Sequence, residues 1–353
     1  MKKIGFIFIL ILILLVSFKV IILMGPVDSN SERSVLLMIE NGSSARQIAR
    51  KLYKNNLIQS EVLFNIMISA RGLENNLKAG IYNIETSKNM GEVIDLLVEG
   101  NVATYRITIP EGFTVEDIAS RLSVITEYPE EDFLYYAGQS MGRDYLNVSG
   151  RDIKYALEGY LYPDTYIIPQ EYTPEEILEV MLSLFEKRWL DTLNRISEAD
   201  NDEIDVYDTG YDSRQESNEI VSQFTPHQIM TIASMIEKEA RLDEEKPIVA
   251  AVIYNRLQRN MLLQIDACIQ YIMPERRGRV LYSDLEIDSP YNTYLYPGLP
   301  PGPISNPGSS SIEAALNPTN VDYYFYFARE DGSHVFSRTY REHLDLQNEM
   351  RDN

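Results

Sequence analysis

A chain of 353 residues with 53 Asp and Glu against 32 Lys and Arg carries a net charge of -21. That balance repels a phosphate backbone and argues against nucleic acid as a partner. Hydrophobic residues make up 44%, enough for the buried cores of the two or three domains this length allows. The single Cys268 cannot form an internal disulfide and reads as a buried thiol, while His227, His334 and His343 show no metal-ligand spacing. No metal and no other cofactor is therefore expected.

The chain opens with Lys2 and Lys3, followed by an apolar run from Ile4 to Met24 broken only by Gly5, Ser17 and Lys19. At ~1.5 Å per residue a helix of this length just spans a hydrocarbon core. The leading lysines favour a cytoplasmic N-terminus, so the residues after Pro26 are expected outside a single-pass anchor in the cell membrane. Lys19, near the far end, can snorkel to the interface. The competing reading is a signal peptide with Ile4 to Val16 as its hydrophobic region, but no small-x-small cleavage site follows, and no nearby cysteine could carry a lipid.

Beyond the anchor the chain repeats itself. Ile39-Glu-Asn-Gly-Ser-Ser-Ala-Arg-Gln-Ile-Ala-Arg-Lys-Leu52 aligns without a gap on Ile109-Pro-Glu-Gly-Phe-Thr-Val-Glu-Asp-Ile-Ala-Ser-Arg-Leu122. Each copy predicts a strand end, a turn at Gly42 or Gly112 that needs positive φ, an N-cap at Ser44 or Thr114, and an amphipathic helix. A fainter echo links Tyr82–Leu97 with Tyr166–Met181, where a strand-like run precedes a helix capped at Thr173-Pro-Glu-Glu176. Farther on, Glu198 to Glu219 gathers acids with Asn, Gly and Ser and reads as a solvated insertion, about residues 196–222.

A helix is predicted from Thr225, with Pro226 at its first position and Gln228 closing a capping box. Ile229, Ala233, Ile236 and Ala240 form one inward stripe, with Glu237 and Glu239 on its flanks and Lys238 pointing away. A carboxyl at such a boundary is partly desolvated, which suits it to act as a general acid. Periodicity does not choose between the two glutamates, and both also fit ordinary flank charges. Downstream, Gln264 and Asp266 fit either sugar-orienting groups or a turn residue and a helix N-cap. The stretch Pro297 to Gly308 is too rich in proline and glycine for helix or central strand. With Tyr291, Asn292 and Tyr294 before it, this ordered loop offers the aromatic faces and amides that a sugar groove uses.

These segments occur together and in order. Ala233-Ser234 precedes Glu237-Lys-Glu239; then come Val252-Ile-Tyr-Asn-Arg-Leu257, Leu263-Gln-Ile-Asp266, Ser289-Pro-Tyr-Asn-Thr-Tyr294 and Gly298-Leu-Pro-Pro-Gly-Pro-Ile304. Asn306-Pro-Gly308, Ser311-Ile-Glu-Ala-Ala-Leu-Asn-Pro318 and His334-Val-Phe-Ser337 complete the series. From about Ser34 to the C-terminus the chain resembles the YceG-like (MltG) family of endolytic murein transglycosylases. The family usually has Ser or Thr where Ile265 stands and Pro where Ala267 stands, and without that proline the backbone after Asp266 is less restrained here.

The resemblance implies a catalytic acid at Glu237, with Glu239, Asn255, Gln264, Asp266, Tyr291, Asn292 and Tyr294 supporting it or contacting substrate. It implies lytic cleavage between N-acetylmuramic acid and N-acetylglucosamine in peptidoglycan glycan strands, giving a 1,6-anhydro end and limiting strand length. The substrate's own 6-hydroxyl is then the nucleophile, which accounts for one acid where most glycosidases need two carboxylates. Cell-wall synthases are the partners that the resemblance suggests. The implied fold is α+β: a transmembrane anchor and its cytoplasmic N-terminus (1–26), a LysM-like small domain (27–104; the module itself about Ser34 to Val102) and a mixed α/β catalytic domain (105–353). Leu157-Glu-Gly-Tyr-Leu-Tyr-Pro-Asp-Thr-Tyr166 is a further family motif. A hydrolytic muramidase using Glu237 with Asp266, and a non-catalytic wall-binding scaffold, are the two alternatives.

Overall fold

The computed structural model describes residues 2–29, 33–40, 42–100, 102–146, 152–199, 220–275, 277 and 279–351. Most of the acidic insertion, residues 200–219, lies outside the described residues. The chain divides into one unit of Met1–Arg106 with Ile167–Tyr172, and a second of Ile107–Tyr166 with Thr173–Asn353.

The first unit opens with helix α1, Lys2–Met24. Its described side chains are largely exposed, Phe8 at 70% and Leu14 at 63%. Among the described residues no helix is long and apolar enough to cross a membrane, so the spanning helix expected from the sequence is not found there. After it come strand β1 (Ser34–Ile39), helices α2 (Ala45–Lys54) and α3 (Glu61–Arg71), strand β2 (Gly80–Glu85) and helix α4 (Met90–Glu99). The two strands pair antiparallel from Ser34 opposite Glu85 to Ile39 opposite Gly80. In β1 the alternation sends Leu37 and Ile39 into the core and leaves Leu36 and Met38 exposed. Ile48, Ala49 and Leu52 of α2 meet Phe64 and Ile68 of α3 and Tyr82 and Ile84 of β2 in that core.

Strand β3 (Thr104–Thr108) pairs with strand β4 (Thr165–Pro169), and each contributes residues to both units. The second unit holds helices α5 (Val115–Ile125), α6 (Glu130–Ala137), α7 (Pro174–Ala199), α8 (Pro226–Glu239), α9 (Lys246–Gln258), α10 (Asp266–Ile272) and α11 (Ser309–Leu316). A hairpin of β5 (Phe325–Ala328) and β6 (His334–Ser337), then helix α12 (Tyr340–Arg351), ends it. Both repeats fold alike. Gly42 and Gly112 take φ of 78° and 73°, and Ser44 and Thr114 cap α2 and α5 with complete capping boxes. The matching residues Ile48, Ala49, Leu52 and Ile118, Ala119, Leu122 are buried.

Helix α8 is the centre of the second unit, packed against both α9 and α11. Its expected stripe is buried, yet so are Met230, Ile232 and Met235. The helix is apolar on more than one side because α9, α10 and α11 pack against it.

Candidate active site

The start of α8 forms as its sequence predicts: the Thr225 hydroxyl accepts from the Gln228 N–H, and the Gln228 side chain accepts from the Thr225 N–H at 2.9 Å. Midway along, Ser234 fastens the proline-rich loop to the helix. Its hydroxyl accepts from the Ile304 N–H at 3.0 Å, and its carbonyl accepts from the Ser305 hydroxyl at 3.2 Å. Asn306, fully buried, continues the attachment: its Oδ1 accepts from the Leu161 N–H at 2.7 Å, and its Nδ2 donates to the Phe113 carbonyl at 2.9 Å. That loop delivers Gly308 and α11 to the last turn of α8, where Glu237 sits.

Glu237 Oε2 accepts from the Gly308 N–H at 3.1 Å and from the Ser311 hydroxyl at 2.6 Å. Lys246 Nζ lies 3.6 Å from the same oxygen. Three donors thus converge on one carboxyl oxygen at the N-terminal end of α11, where a helix attracts negative charge. Oε1 accepts no hydrogen bond among the described residues. Lys246 is itself nearly sealed from solvent and is steadied by Ser310 at 2.7 Å and Asp243 at 2.9 Å. A second carboxyl, Glu111, stands against Gly308, and burial, then the Glu237 charge, holds it above the usual carboxylate range.

Glu239, two residues on, occupies a different environment. Its Oε2 accepts from the Tyr326 hydroxyl at 2.9 Å. Burial raises its pKa, the Tyr326 hydrogen bond opposes that, and the Asp266 charge adds to it. Tyr326 in turn is pushed well up by burial and by Glu239. Asp266 is exposed at the first position of α10 and accepts from the Tyr294 hydroxyl at 2.5 Å. Glu239, Asp266 and Tyr294 therefore form one neighbourhood.

The other predicted residues are elsewhere in the framework. Asn255 donates its amide to the Val321 and Tyr323 carbonyls at 2.7 and 3.0 Å. Asn292, fully buried, bridges the Leu285 and Ile287 carbonyls. Tyr291 is buried beside Tyr271, ring centroids 5.1 Å apart. Gln264 is exposed with a left-handed φ of 52°, its N–H donating to the Thr293 carbonyl. Cys268 is buried, and burial drives its thiol far up. Sequence reasoning did not single out Lys246 or Glu111: the first looks like one more charge in Asp243-Glu-Glu-Lys246, the second like part of a turn. Among the described residues, no cluster of three or more His, Cys, Asp or Glu could hold a metal ion.

The sequence profile of the YceG-like family matches residues 37–349. The chain belongs to the YceG-like family. This YceG-like chain is 34% identical over 333 residues to an endolytic murein transglycosylase of Bacillus subtilis, covering 91% of the chain and 86% of that protein. It is 28% identical to an endolytic murein transglycosylase of Streptococcus pneumoniae, with 91% of the chain matched but only 59% of the pneumococcal protein. The crystal structure of a YceG-like protein from Listeria monocytogenes superposes with a TM-score of 0.58 at 32% identity, covering 90% of this chain and all of that one.

Proposed function

We propose that this chain is a lytic transglycosylase acting on peptidoglycan, with Glu237 as its acid and base. The observation that carries this reading is the fixing of Glu237 Oε2 by Gly308, Ser311 and Lys246, which leaves Oε1 unoccupied and oriented. A preorganised carboxyl of this kind needs no rearrangement when charge develops. Glu237 protonates the glycosidic oxygen as the bond to the muramyl carbon breaks, then as a carboxylate takes the proton of the 6-hydroxyl that closes the anhydro ring. No water enters. Asp266 and Tyr294, joined at 2.5 Å, are proposed to contact sugar, while Asn255 and Asn292 brace the loops around the site.

In this reading the strand–helix–helix–strand order of β1, α2, α3 and β2 supports a LysM-like module. A single-pass anchor rests on the sequence, on the apolar run from Ile4 to Met24 broken only by Gly5, Ser17 and Lys19. Such an anchor holds the catalytic unit outside the membrane and beside nascent strands, where wall-synthesising enzymes work. Deleting residues 1–26 should then move the protein from the membrane to the soluble fraction.

The deciding experiment incubates wild type and Glu237→Gln with uncrosslinked glycan strands and reads the products by mass spectrometry. Internal fragments ending in 1,6-anhydro-muramic acid from wild type alone support the proposal. Water-added reducing ends point to a hydrolase, and binding without turnover by both proteins points to a scaffold.

A further inference from the structure

Glu111 stands on the turn between β3 and α5, in Ile109-Pro-Glu-Gly112. Backbone hydrogen bonds fix this turn to the loop before α11: Gly112 N–H donates to the Asn306 carbonyl at 2.9 Å, and Asn306 N–H donates to the Phe113 carbonyl at 2.8 Å. The consequence is a close approach. A Cβ placed on Gly308 would fall 1.8 Å from Glu111 Oε1 and 2.8 Å from Oε2, so only a glycine leaves room for this carboxyl. Gly308 is also the residue whose N–H donates to Glu237 Oε2 at 3.1 Å. Two carboxyl groups therefore flank one glycine.

We propose that Glu111 is a positioning residue for catalysis at Glu237: seated against Gly308, it fixes the glycine whose N–H holds the acid and sets a second carboxyl beside it. This rests on the reading of Glu237 as the acid. The charged groups facing the pair are Lys238 from α8, Lys246 from the first turn of α9 and Asp243 just before it; α11 offers the hydroxyls of Ser310 and Ser311. Lys238 Nζ donates to the Gly112 carbonyl at 3.2 Å, and Lys246 is bound to both Glu237 and Asp243. Burial and the neighbouring carboxylate both disfavour a second negative charge on Glu111, with Lys246 opposing them. In the reaction the proton of Glu237 passes to the glycosidic oxygen, which keeps the electrons of the broken bond. The 6-hydroxyl oxygen then bonds the muramyl carbon and its proton returns to Glu237, so atoms and charge balance without a co-reactant.

The test measures kcat and KM on uncrosslinked glycan strands against pH for the full chain as wild type, Glu111→Gln, Glu111→Asp, Gly308→Ala and Glu237→Gln, with melting curves for each. Glu111→Gln is expected to lower kcat about tenfold with KM changed less than about twofold, and to move the basic limb of the kcat profile to lower pH by roughly one unit. Glu111→Asp, which keeps a carboxyl, should restore the limb. Gly308→Ala keeps the backbone N–H but displaces the Glu111 carboxyl, and should move the limb as Glu111→Gln does. Should Glu111→Gln fail to fold, the other two variants decide. An unshifted profile in Gly308→Ala and Glu111→Gln, or a loss confined to KM, overturns the proposal while leaving Glu237 as the acid. A wild type that yields no anhydro ends removes the underlying reading instead.

Discussion

Lys246 Nζ lies 3.6 Å from Glu237 Oε2, and their side chains are only 4% and 10% exposed. Charges so enclosed are costly to separate, because removing one leaves the other without its partner in a poorly solvated site. Lys246→Met should therefore destabilise the second unit by about 3 kcal/mol, the low end for such pairs, since Gly308 and Ser311 still hold Glu237. Urea denaturation measures this. Adding Glu237→Gln to Lys246→Met should recover part of the loss, and a double-mutant cycle that shows simple additivity would exclude coupling.

Glu239 gives the stability of this unit a pH dependence of defined sign. Its pKa is raised in the folded state, first by burial, so the folded protein binds this proton more tightly than the unfolded chain does. Stability then falls as pH rises above the unfolded value near 4.5. Glu239→Gln removes that slope while its amide oxygen can still accept from Tyr326. Melting temperatures of the variant should gain on wild type from acidic to neutral pH. Tyr326→Phe, which removes the hydrogen bond that favours the carboxylate, should steepen the decline, and parallel curves for all three proteins would contradict this account.

The parts of the fold legible in the sequence were those set by neighbours in the chain. Thr225, Pro226 and Gln228 specify the start of α8 within four residues, and the two repeats announce their glycine turns and capped helices through the same local chemistry. The single apolar stripe expected on α8 understated its burial, because sequence periodicity cannot count how many helices will pack against one. The site was legible only in part. Glu237 and Asp266 stand in recognisable motifs, but the approach of Glu111 to Gly308 joins segments far apart in the chain and leaves no periodic trace. Asn292 looks like a sugar-binding amide, and only the structure reveals that its side-chain N–H groups donate to the Leu285 and Ile287 carbonyls.

Asn306 ties the loop before α11 to Leu161 and to the turn before α5. It is fully buried, satisfies the Leu161 N–H, and donates to the Phe113 carbonyl and, at 3.3 Å, to Glu158 Oε1. Asn306→Ala leaves a buried N–H without a partner and should cost about 2–3 kcal/mol, read as a fall in thermal midpoint. Asn306→Asp should be worse than its change in shape suggests, since a second carboxylate then faces the buried Glu158. If the aspartate variant is as stable as wild type at neutral pH, the proposed direction of this hydrogen bond is wrong.

Asp266 and Tyr294 differ from these framework groups because Asp266 is exposed and their hydrogen bond lies at the surface beside Glu239. Removing a hydrogen bond there carries little desolvation penalty, so Tyr294→Phe and Asp266→Asn should change the melting midpoint little, by less than about 1 kcal/mol in stability. Groups that contact sugar equally before and at the transition state affect KM and leave kcat largely intact. Both variants are therefore expected to raise KM for uncrosslinked strands several-fold, with the double variant no worse than the more severe single one because the two side chains act as one unit. A fall in kcat at constant KM would instead place the pair with the reacting atoms, and additive losses would separate the two residues into independent contacts.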